Sequence, residues 1–291
     1  MLARSRPRSR FGKRTLIDLT QAKELTSLGQ VLRLFHDATQ QLAKRTLIVG
    51  AMARDLILHH AYGLRITRAT ADLDIAVAVE SWDAFYRLEE KLIAKGAQRD
   101  PHIVHRFFIN DWKLDVVPFG KVERDGIIVW PETESKMSVV GFDEASSHAL
   151  EVLLPRQIRA FVASPPALLM LKLIAWEDRH LVEPRHDAVD IRTLIDSYAE
   201  SWNDDRLYTE ADDLLQRFGY DNSLAGAALL GRDSAAIARP TTRARMIEIV
   251  ERETSDERLI LAADMSRRVD ENLALLKAVL IGIQDAALSR R

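Results

Sequence analysis

The chain has 291 residues, of which 47% are hydrophobic and 29% are charged, and it contains 12 glycines and 9 prolines. This composition excludes collagenous, low-complexity and globally disordered proteins, and the length suits about two globular domains. The absence of cysteine excludes a disulfide framework, a thiolate metal site and a cysteine nucleophile, and it fits a cytoplasmic location. With 41 basic and 43 acidic side chains the net charge is −2, so any attraction to nucleic acid must come from local basic patches.

Residues 1–14 carry six basic side chains and no acidic one, and no apolar segment with a secretory cleavage site follows them. We interpret them as a disordered basic arm, either an RNA-attracting patch or an ordinary solvated terminus. The best candidate for a membrane span, Leu273–Ile283, is short and contains Lys277. We therefore expect no membrane association.

The first half of the chain alternates between helical and strand patterns. The predicted elements are a helix within Asp18–Lys44, a strand at Thr46–Val49, a helix at Met52–His60, a strand at Asp72–Val79, a helix at Trp82–Lys95, strands at His102–Ile109 and Lys113–Phe119, and strands near Gly126–Trp130 and within His148–Val162. Asn110-Asp111 is a turn-favouring pair that joins two of these strands, and Pro155 interrupts the last segment. The pattern predicts an α/β arrangement.

The second half is helical throughout, beginning at Pro165 and Pro166, since proline is favoured in the first turn of a helix. The predicted helices are Ala167–Arg179, Asp187–Tyr198, Asp205–Phe218, Thr241–Glu253 and Ser266–Ser289. We place a boundary near residue 164, which gives an α/β domain at 15–164 and a helical domain at 165–291.

Asp72 and Asp74 are the most conspicuous candidates for chemistry. Strand alternation sends both carboxylates to one face and Leu73 to the other. Carboxylates this close repel each other unless a cation joins them, and Mg²⁺ prefers oxygen ligands with phosphates completing its shell. Ala76 and Ala78 follow on the same face, and their small side chains would leave space above the sheet for something bulky. The alternative is that the acidic pair ends an edge strand in solvent.

A third acid, Asp115, lies among apolar residues of another predicted strand. If that strand is a neighbour of the first, three carboxylates converge and could hold two metal ions, one under a triphosphate and one beside an attacking hydroxyl. Alternatively, Asp115 is exposed or hydrogen-bonded to a turn.

Gly50 separates a predicted strand from a predicted helix, and its backbone N–H and that of Ala51 could approach phosphate oxygens without interference from a Cβ. The alternative is an ordinary turn glycine. Arg54, one turn further on, could contact phosphate or pair with Asp55 or Asp72.

Lys172 lies in a helix that is apolar almost all round, which predicts that the helix is buried. The ammonium must therefore reach the surface along its stem or meet an anion. Asp187 could be that anion or could orient Lys172 toward a nucleotide phosphate, and Asp190 is its rival for that role.

Together these motifs resemble the nucleotidyltransferase superfamily related to DNA polymerase β. Its signature is an apolar strand, Gly-Gly or Gly-Ser, a helix, then Asp-x-Asp and a later single Asp on strands. Within it, the region from about Leu47 to about Leu194 is similar to the AbiEii/AbiGii-type nucleotidyltransferase toxins. The stretches that carry the similarity are Gly50–Leu56, Gly63–Thr67, Ala71–Ile75, Lys172–Trp176 and Arg185–Asp190.

This resemblance implies an α+β fold, with a polymerase β-like mixed sheet flanked by helices and followed by a helical C-terminal region. It implies that Asp72 and Asp74 bind Mg²⁺ or Mn²⁺, that Asp115 is the third carboxylate, and that Lys172 and Asp187 match the later lysine and aspartate motifs. Where the superfamily often has Gly-Ser, this chain has Gly50 followed by alanine, which lacks the hydroxyl that would bond the triphosphate.

The function implied is transfer of a nucleoside monophosphate from an NTP to a hydroxyl acceptor, an RNA such as a tRNA 3′ end. The family also implies a toxin-like role and a cognate antitoxin protein as partner. Three alternatives stay open: a small-molecule nucleotidyltransferase of the aminoglycoside-modifying kind, a catalytically silent nucleotide-binding module, and an RNA-binding protein with a vestigial site.

Overall fold

The computed structural model describes residues 16–40, 42–65, 70, 72–182, 184–255 and 258–288. The chain divides into two compact units, one extending to Ser164 and the other beginning at Pro165. The basic arm predicted for residues 1–14 lies outside the described residues. No helix within the described ranges is long and apolar enough to cross a membrane.

The first unit contains the β-strands of the chain and four α-helices within the described residues. Its strands are β1 Leu16–Asp18, β2 Arg45–Val49, β3 Asp72–Val79, β4 Gln98–Arg99, β5 Arg106–Ile109, β6 Trp112–Gly120, β7 Ile127–Val129, β8 Lys136–Ser138, β9 Leu150–Leu154 and β10 Ile158–Val162. Its helices are α1 Thr26–Thr39, α2 Gly50–Asp55, α3 Trp82–Ala94 and α4 Phe142–Ser147, with 3₁₀ turns at Lys23–Leu25 and Pro155–Gln157 and a π-helical turn at Leu56–Ala61.

Among the described residues, eight strands form one mixed sheet in the order β1-β9-β10-β2-β3-β6-β5-β4, and β7 and β8 form a separate hairpin. In the centre of the sheet β2 runs antiparallel to β3, and β3 runs parallel to β6. A parallel pair needs a crossover between its strands, which α3 supplies. The mixed sheet flanked by helices confirms the predicted fold class.

Helices cover both faces of this sheet. On one face Leu32 and Phe35 of α1 line a small cavity with Ile48 and Ile75. On the other face the rings of Phe142 in α4 and Phe119 in β6 lie 5.9 Å apart, and Asp143 of α4 pairs with Arg45 of β2.

Ala76 and Ala78, which were predicted to leave space above the sheet, are 0% and 6% exposed. Both alanines share the face that α4 covers, so packing within the unit fills the space above them.

The second unit is helical in its described residues. Its helices are α5 Pro165–Arg179, α6 Pro184–Tyr198, α7 Asp204–Leu207, α8 Asp212–Arg217, α9 Asn222–Ile237, α10 Pro240–Glu253, α11 Ile260–Met265 and α12 Val269–Leu288, with a π-helical turn at Ala199–Asn203. A Cβ at Gly231 of α9 would lie 2.2 Å from the carbonyl oxygen of Val279 in α12, and one at Gly282 of α12 would lie 1.8 Å from that of Ala228 in α9. The backbones of α9 and α12 therefore touch, and only glycine fits at these two positions.

Candidate functional site

Asp74 and Asp115 occupy directly paired positions on the neighbouring parallel strands β3 and β6. Paired residues on adjacent strands point to the same face about 4.8 Å apart, and Asp72, two residues before Asp74, shares that face. Strand β3 lies between β2 and β6, so the acidic pair is not at a sheet edge. The structure therefore brings the three acids to one patch of the sheet.

Two cations of the same sheet hold two of these acids. Arg106, opposite Asp115 across the β5–β6 ladder, donates Nε–H to Oδ1 at 2.7 Å and an Nη2–H to Oδ2 at 2.8 Å. Lys113, opposite Asp72 across the β3–β6 ladder, places Nζ 2.5 Å from Oδ2. The hydrogen bonds with Asp115 raise the pKa of the Arg106 guanidinium, which stays charged. Each cation comes from the strand position directly opposite its acid.

The backbone of Gly50 lies against the Asp74 carboxylate. Gly50 has φ +66°, and a Cβ at this position would lie 2.1 Å from Oδ2 and 2.9 Å from Cγ of Asp74. Antiparallel pairing of Val49 with Asp74 brings the end of β2 beside the acid. A positive φ and the close approach both require glycine, so this is more than an ordinary turn residue.

Arg54, predicted to contact phosphate or an acid, pairs with its neighbour. Its Nε donates to Asp55 Oδ1 at 2.8 Å, its Nη2 lies 2.6 Å from the same oxygen, and its side chain is 9% exposed. The predicted pairing of Arg54 with an acid is therefore present, with Asp55 as the partner. The predicted phosphate contact of Arg54 stays a prediction. Ala51, which follows Gly50, is partly exposed.

The donor set suits a hard divalent cation in its chemistry, since Asp72, Asp74 and Asp115 offer only oxygen atoms. The Gly50 backbone lies against one of these carboxylates, that of Asp74. However, no three His, Asp or Glu side chains of the described chain are grouped as a metal site. Asp72 and Asp115 instead contact Lys113 and Arg106. The residues fit magnesium or manganese, although they are not arranged around one.

Lys172 in the second unit lies in a buried cluster of opposite charges. Its Nζ is 2.8 Å from Asp187 Oδ1 and 2.6 Å from Asp190 Oδ2, so the predicted anion and its rival both contact it. Asp187 is completely buried and also accepts Nε–H from Arg179 at 2.6 Å. Burial opposes the charge on Lys172, but the two carboxylates outweigh it and raise the pKa of the ammonium.

Arg106 and Lys113 were not predicted from the sequence as site residues. The position of Arg106 could have been predicted from the turn at Asn110-Asp111. A two-residue turn fixes the register of the hairpin, and this register places Arg106 opposite Asp115. The pairing of Lys113 with Asp72 could not be read in this way, since it depends on the register of two strands joined by a long crossover.

Comparisons with known proteins give only weak likenesses. No protein-family model and no curated protein matches this chain. The solution structure of the antibiotic-resistance factor ANT(2'')-Ia has a TM-score of 0.39 at 15% identity, over 67% of this chain and 97% of that one. The crystal structure of ANT(2'')-Ia with adenylyl-2''-tobramycin has a TM-score of 0.37 at 14% identity, over 66% and 99%.

A candidate nucleotidyltransferase from H. pylori has a TM-score of 0.35 at 11% identity and covers 92% of this chain and 99% of its own. TM-scores and identities this low carry no argument about the activity of the present chain.

Proposed function

We propose that this protein is a metal-dependent nucleotidyltransferase that moves a nucleoside monophosphate from an NTP to a hydroxyl acceptor. The observation that carries the proposal is the direct pairing of Asp74 with Asp115, with Asp72 on the same face of the sheet. Three carboxylates on two adjacent strands provide the oxygen ligands that a divalent cation and a triphosphate require.

In the reaction, the acceptor oxygen attacks the α-phosphorus of the NTP, the bond from that phosphorus to the β-phosphate oxygen breaks, and pyrophosphate leaves. The acceptor hydroxyl gives its proton to the Asp115 carboxylate. Asp72, Asp74 and Asp115 would hold Mg²⁺ or Mn²⁺, which when bound neutralises phosphate charge and favours ionisation of the hydroxyl. Gly50 keeps the Asp74 carboxylate in place with its backbone, so positioning and electrostatics supply most of the catalysis.

Lys172 and Asp187 are predicted, from the buried helix and from the family resemblance, to act as a phosphate contact and its partner. Within the second unit they are members of the buried charge cluster that includes Asp190. The chemistry proposed above uses the first unit only, and the roles of Lys172 and Asp187 stay predictions.

The acceptor in this proposal is RNA, with the 3′ end of a tRNA as the candidate, because the motifs resemble the AbiEii/AbiGii-type toxins. The same resemblance supports a toxin-like role beside a cognate antitoxin. A catalytically silent nucleotide-binding module is the second candidate, and the pairing of Asp72 and Asp115 with cations of the same chain favours it.

A label-transfer assay tests these proposals. The purified protein is incubated with each α-labelled NTP, with Mg²⁺ or Mn²⁺, and with total RNA or an aminoglycoside. We expect label on RNA with the wild type and with Asp111→Asn, an exposed acid in the β5–β6 turn, and none with Asp74→Asn. Label on the aminoglycoside alone would replace the RNA proposal, and nucleotide binding without transfer to any acceptor would establish the silent module.

A further inference from the structure

Asp72, Asp74 and Asp115 form an acidic patch, and its two ion pairs join residues of neighbouring strands. Arg106 and Asp115 face each other at one rung of the β5–β6 ladder, and Lys113 and Asp72 at one rung of the β3–β6 ladder. The Arg106 pair is bidentate, with side chains 22% and 13% exposed, which distinguishes it from solvated surface pairs. Lys113 and Asp72 are more open, at 30% and 43%.

The charges of this patch determine how a metal ion can bind to it. Three carboxylates and two cations leave one net negative charge among the five side chains. A divalent cation bound by Asp72 or Asp115 would lie within a few ångströms of the guanidinium or ammonium that already holds the same oxygens, and like charges that close repel. The metal and the side-chain cations therefore compete for the same carboxylates.

From this competition we propose that Arg106 and Lys113 are counter-cations that leave Asp115 and Asp72 when metal binds and move to the nucleotide triphosphate. This inference rests on the nucleotidyltransferase function proposed above. The triphosphate supplies the anionic oxygens that the released cations need, and arginine suits phosphate through its fork of N–H donors. Arg106 and Lys113 thus act as positioning residues that couple metal binding to nucleotide binding.

Coupling of this kind has a measurable consequence. Without nucleotide, the metal binds weakly because it must displace Arg106 and Lys113, which then have no anionic partner. With nucleotide, the triphosphate provides that partner. By linkage, the metal strengthens nucleotide binding by the same factor as the nucleotide strengthens metal binding.

The test is Mn²⁺ binding followed by the electron paramagnetic resonance signal of free Mn²⁺, with and without a non-hydrolysable α,β-methylene NTP analogue. The proteins are the wild type, Arg106→Gln, Lys113→Gln and the control Arg159→Gln. Arg159 pairs with Glu151 on strands β9 and β10, so this control removes the same charge from the same sheet without touching the three acids. Circular dichroism verifies that each variant is folded.

Without the analogue, we expect Arg106→Gln to bind Mn²⁺ about 10-fold more tightly than the wild type, the factor expected on losing a charged hydrogen-bonded competitor. Lys113→Gln should show a smaller gain, because its pair is more exposed. With the analogue, the advantage should vanish, so the coupling factor between Mn²⁺ and nucleotide falls in both variants. Arg159→Gln should behave like the wild type.

Unchanged or weaker Mn²⁺ binding in folded Arg106→Gln and Lys113→Gln, with coupling as in the wild type, would overturn the inference while leaving the proposed function intact. If instead the wild type binds neither Mn²⁺ nor the analogue and transfers no label, the proposed function fails and the inference fails with it. Arg106→Lys, which keeps the charge but loses the bidentate geometry, should lie between Arg106→Gln and the wild type.

Discussion

Gly50 and Asp74 are in direct contact: the Gly50 backbone lies so close to the acid that an added Cβ would be 2.1 Å from Oδ2. Gly50→Ala must therefore displace the carboxylate. We expect label transfer to fall at least about 100-fold, since a shift of about 1 Å in a reacting group has an effect of this size. The labelled-NTP assay measures the loss.

Gly63→Ala is the matched control for that variant. Gly63 has φ +73°, close to the +66° of Gly50, but a Cβ there meets nothing within 4 Å. Both substitutions should lower the free energy of unfolding by about 1–2 kcal/mol through backbone strain, and only Gly50→Ala should lose activity. Equal activity in the two variants would contradict a positioning role for the Gly50 backbone.

Glu89 on α3 gives the first unit a pH-dependent stability. Burial, with the nearby charge of Glu132, raises the pKa of Glu89 from 4.5 to about 7 in spite of its pairing with Arg99. The folded chain therefore binds the proton more tightly than the unfolded chain does, and the free energy of unfolding falls as pH rises from about 4.5 to about 7. Urea unfolding at pH 5 and pH 8 should show this decrease in the wild type and a much smaller one in Glu89→Gln.

Glu90→Gln, the exposed neighbour of Glu89, provides the comparison for this effect and should keep the wild-type dependence on pH. Parallel pH curves for Glu89→Gln and Glu90→Gln would show that burial of Glu89 does not control stability.

Lys172→Met should destabilise the second unit strongly. The substitution leaves Asp187, which is 0% exposed, with Arg179 and removes the ammonium that also balances Asp190. Loss of one partner from a buried ion pair costs about 3–5 kcal/mol. Chemical denaturation followed by circular dichroism measures this, with Lys277→Met on the exposed face of α12 as the control. Equal stability of the two variants would point to a ligand-binding and not a structural lysine.

The same cluster predicts an acid-sensitive contribution to stability. Burial opposes ionisation of Asp187, but Arg179 and Lys172 outweigh it and lower the pKa of the carboxyl below 3.8. Its contribution is therefore fully present above pH 3.8 and is lost as pH falls through the lowered pKa. In Asp187→Asn the free energy of unfolding should decrease less below pH 3.8 than it does in the wild type. The same decrease in both proteins would contradict a stabilising role for the charged Asp187.

Gly282→Ala should destabilise the chain although alanine is the better helix former by about 1 kcal/mol. A Cβ at Gly282 would lie 1.8 Å from the carbonyl oxygen of Ala228, so α9 and α12 must separate. We expect a loss of about 3 kcal/mol in the free energy of unfolding. Ser223→Ala, at an exposed position of α9, should change it by less than about 0.5 kcal/mol, and a Gly282→Ala variant as stable as this control would refute the close helix contact.

Local patterns sufficed for most of the first unit, because alternation, turn residues and proline act over a few neighbours. The hairpin at Asn110-Asp111 is confirmed as β5 and β6, and the break at Pro155 as the turn between β9 and β10. Strand β1 was missed, since three residues pairing with the distant β9 leave no periodic signal.

In the second unit the largest omission was α9. Its residues Ala225–Gly231 are buried without exception, so the helix has no polar face to create a period of 3.6 residues. The predicted helix Asp205–Phe218 is instead the two short helices α7 and α8.

For the candidate site, the acids could be named from the sequence because aspartate in an apolar strand is conspicuous. The sequence could not show that Asp72 and Asp115 are each held by a cation, because the partners are set by register across strands. The close approach of Gly50 to Asp74 was equally hidden, since it depends on the antiparallel pairing of Val49 with Asp74.

The parallel register of β3 and β6 also determines when the chain can become chemically competent. Asp74 leaves the ribosome well before Asp115, and the two meet only after α3, β4 and β5 have been made and the crossover has closed. A slip by one residue would set Asp74 beside Leu114 or Val116, whose side chains point to the opposite face. A chain that ends before Asp115, or one with a slipped register, therefore lacks the paired carboxylates.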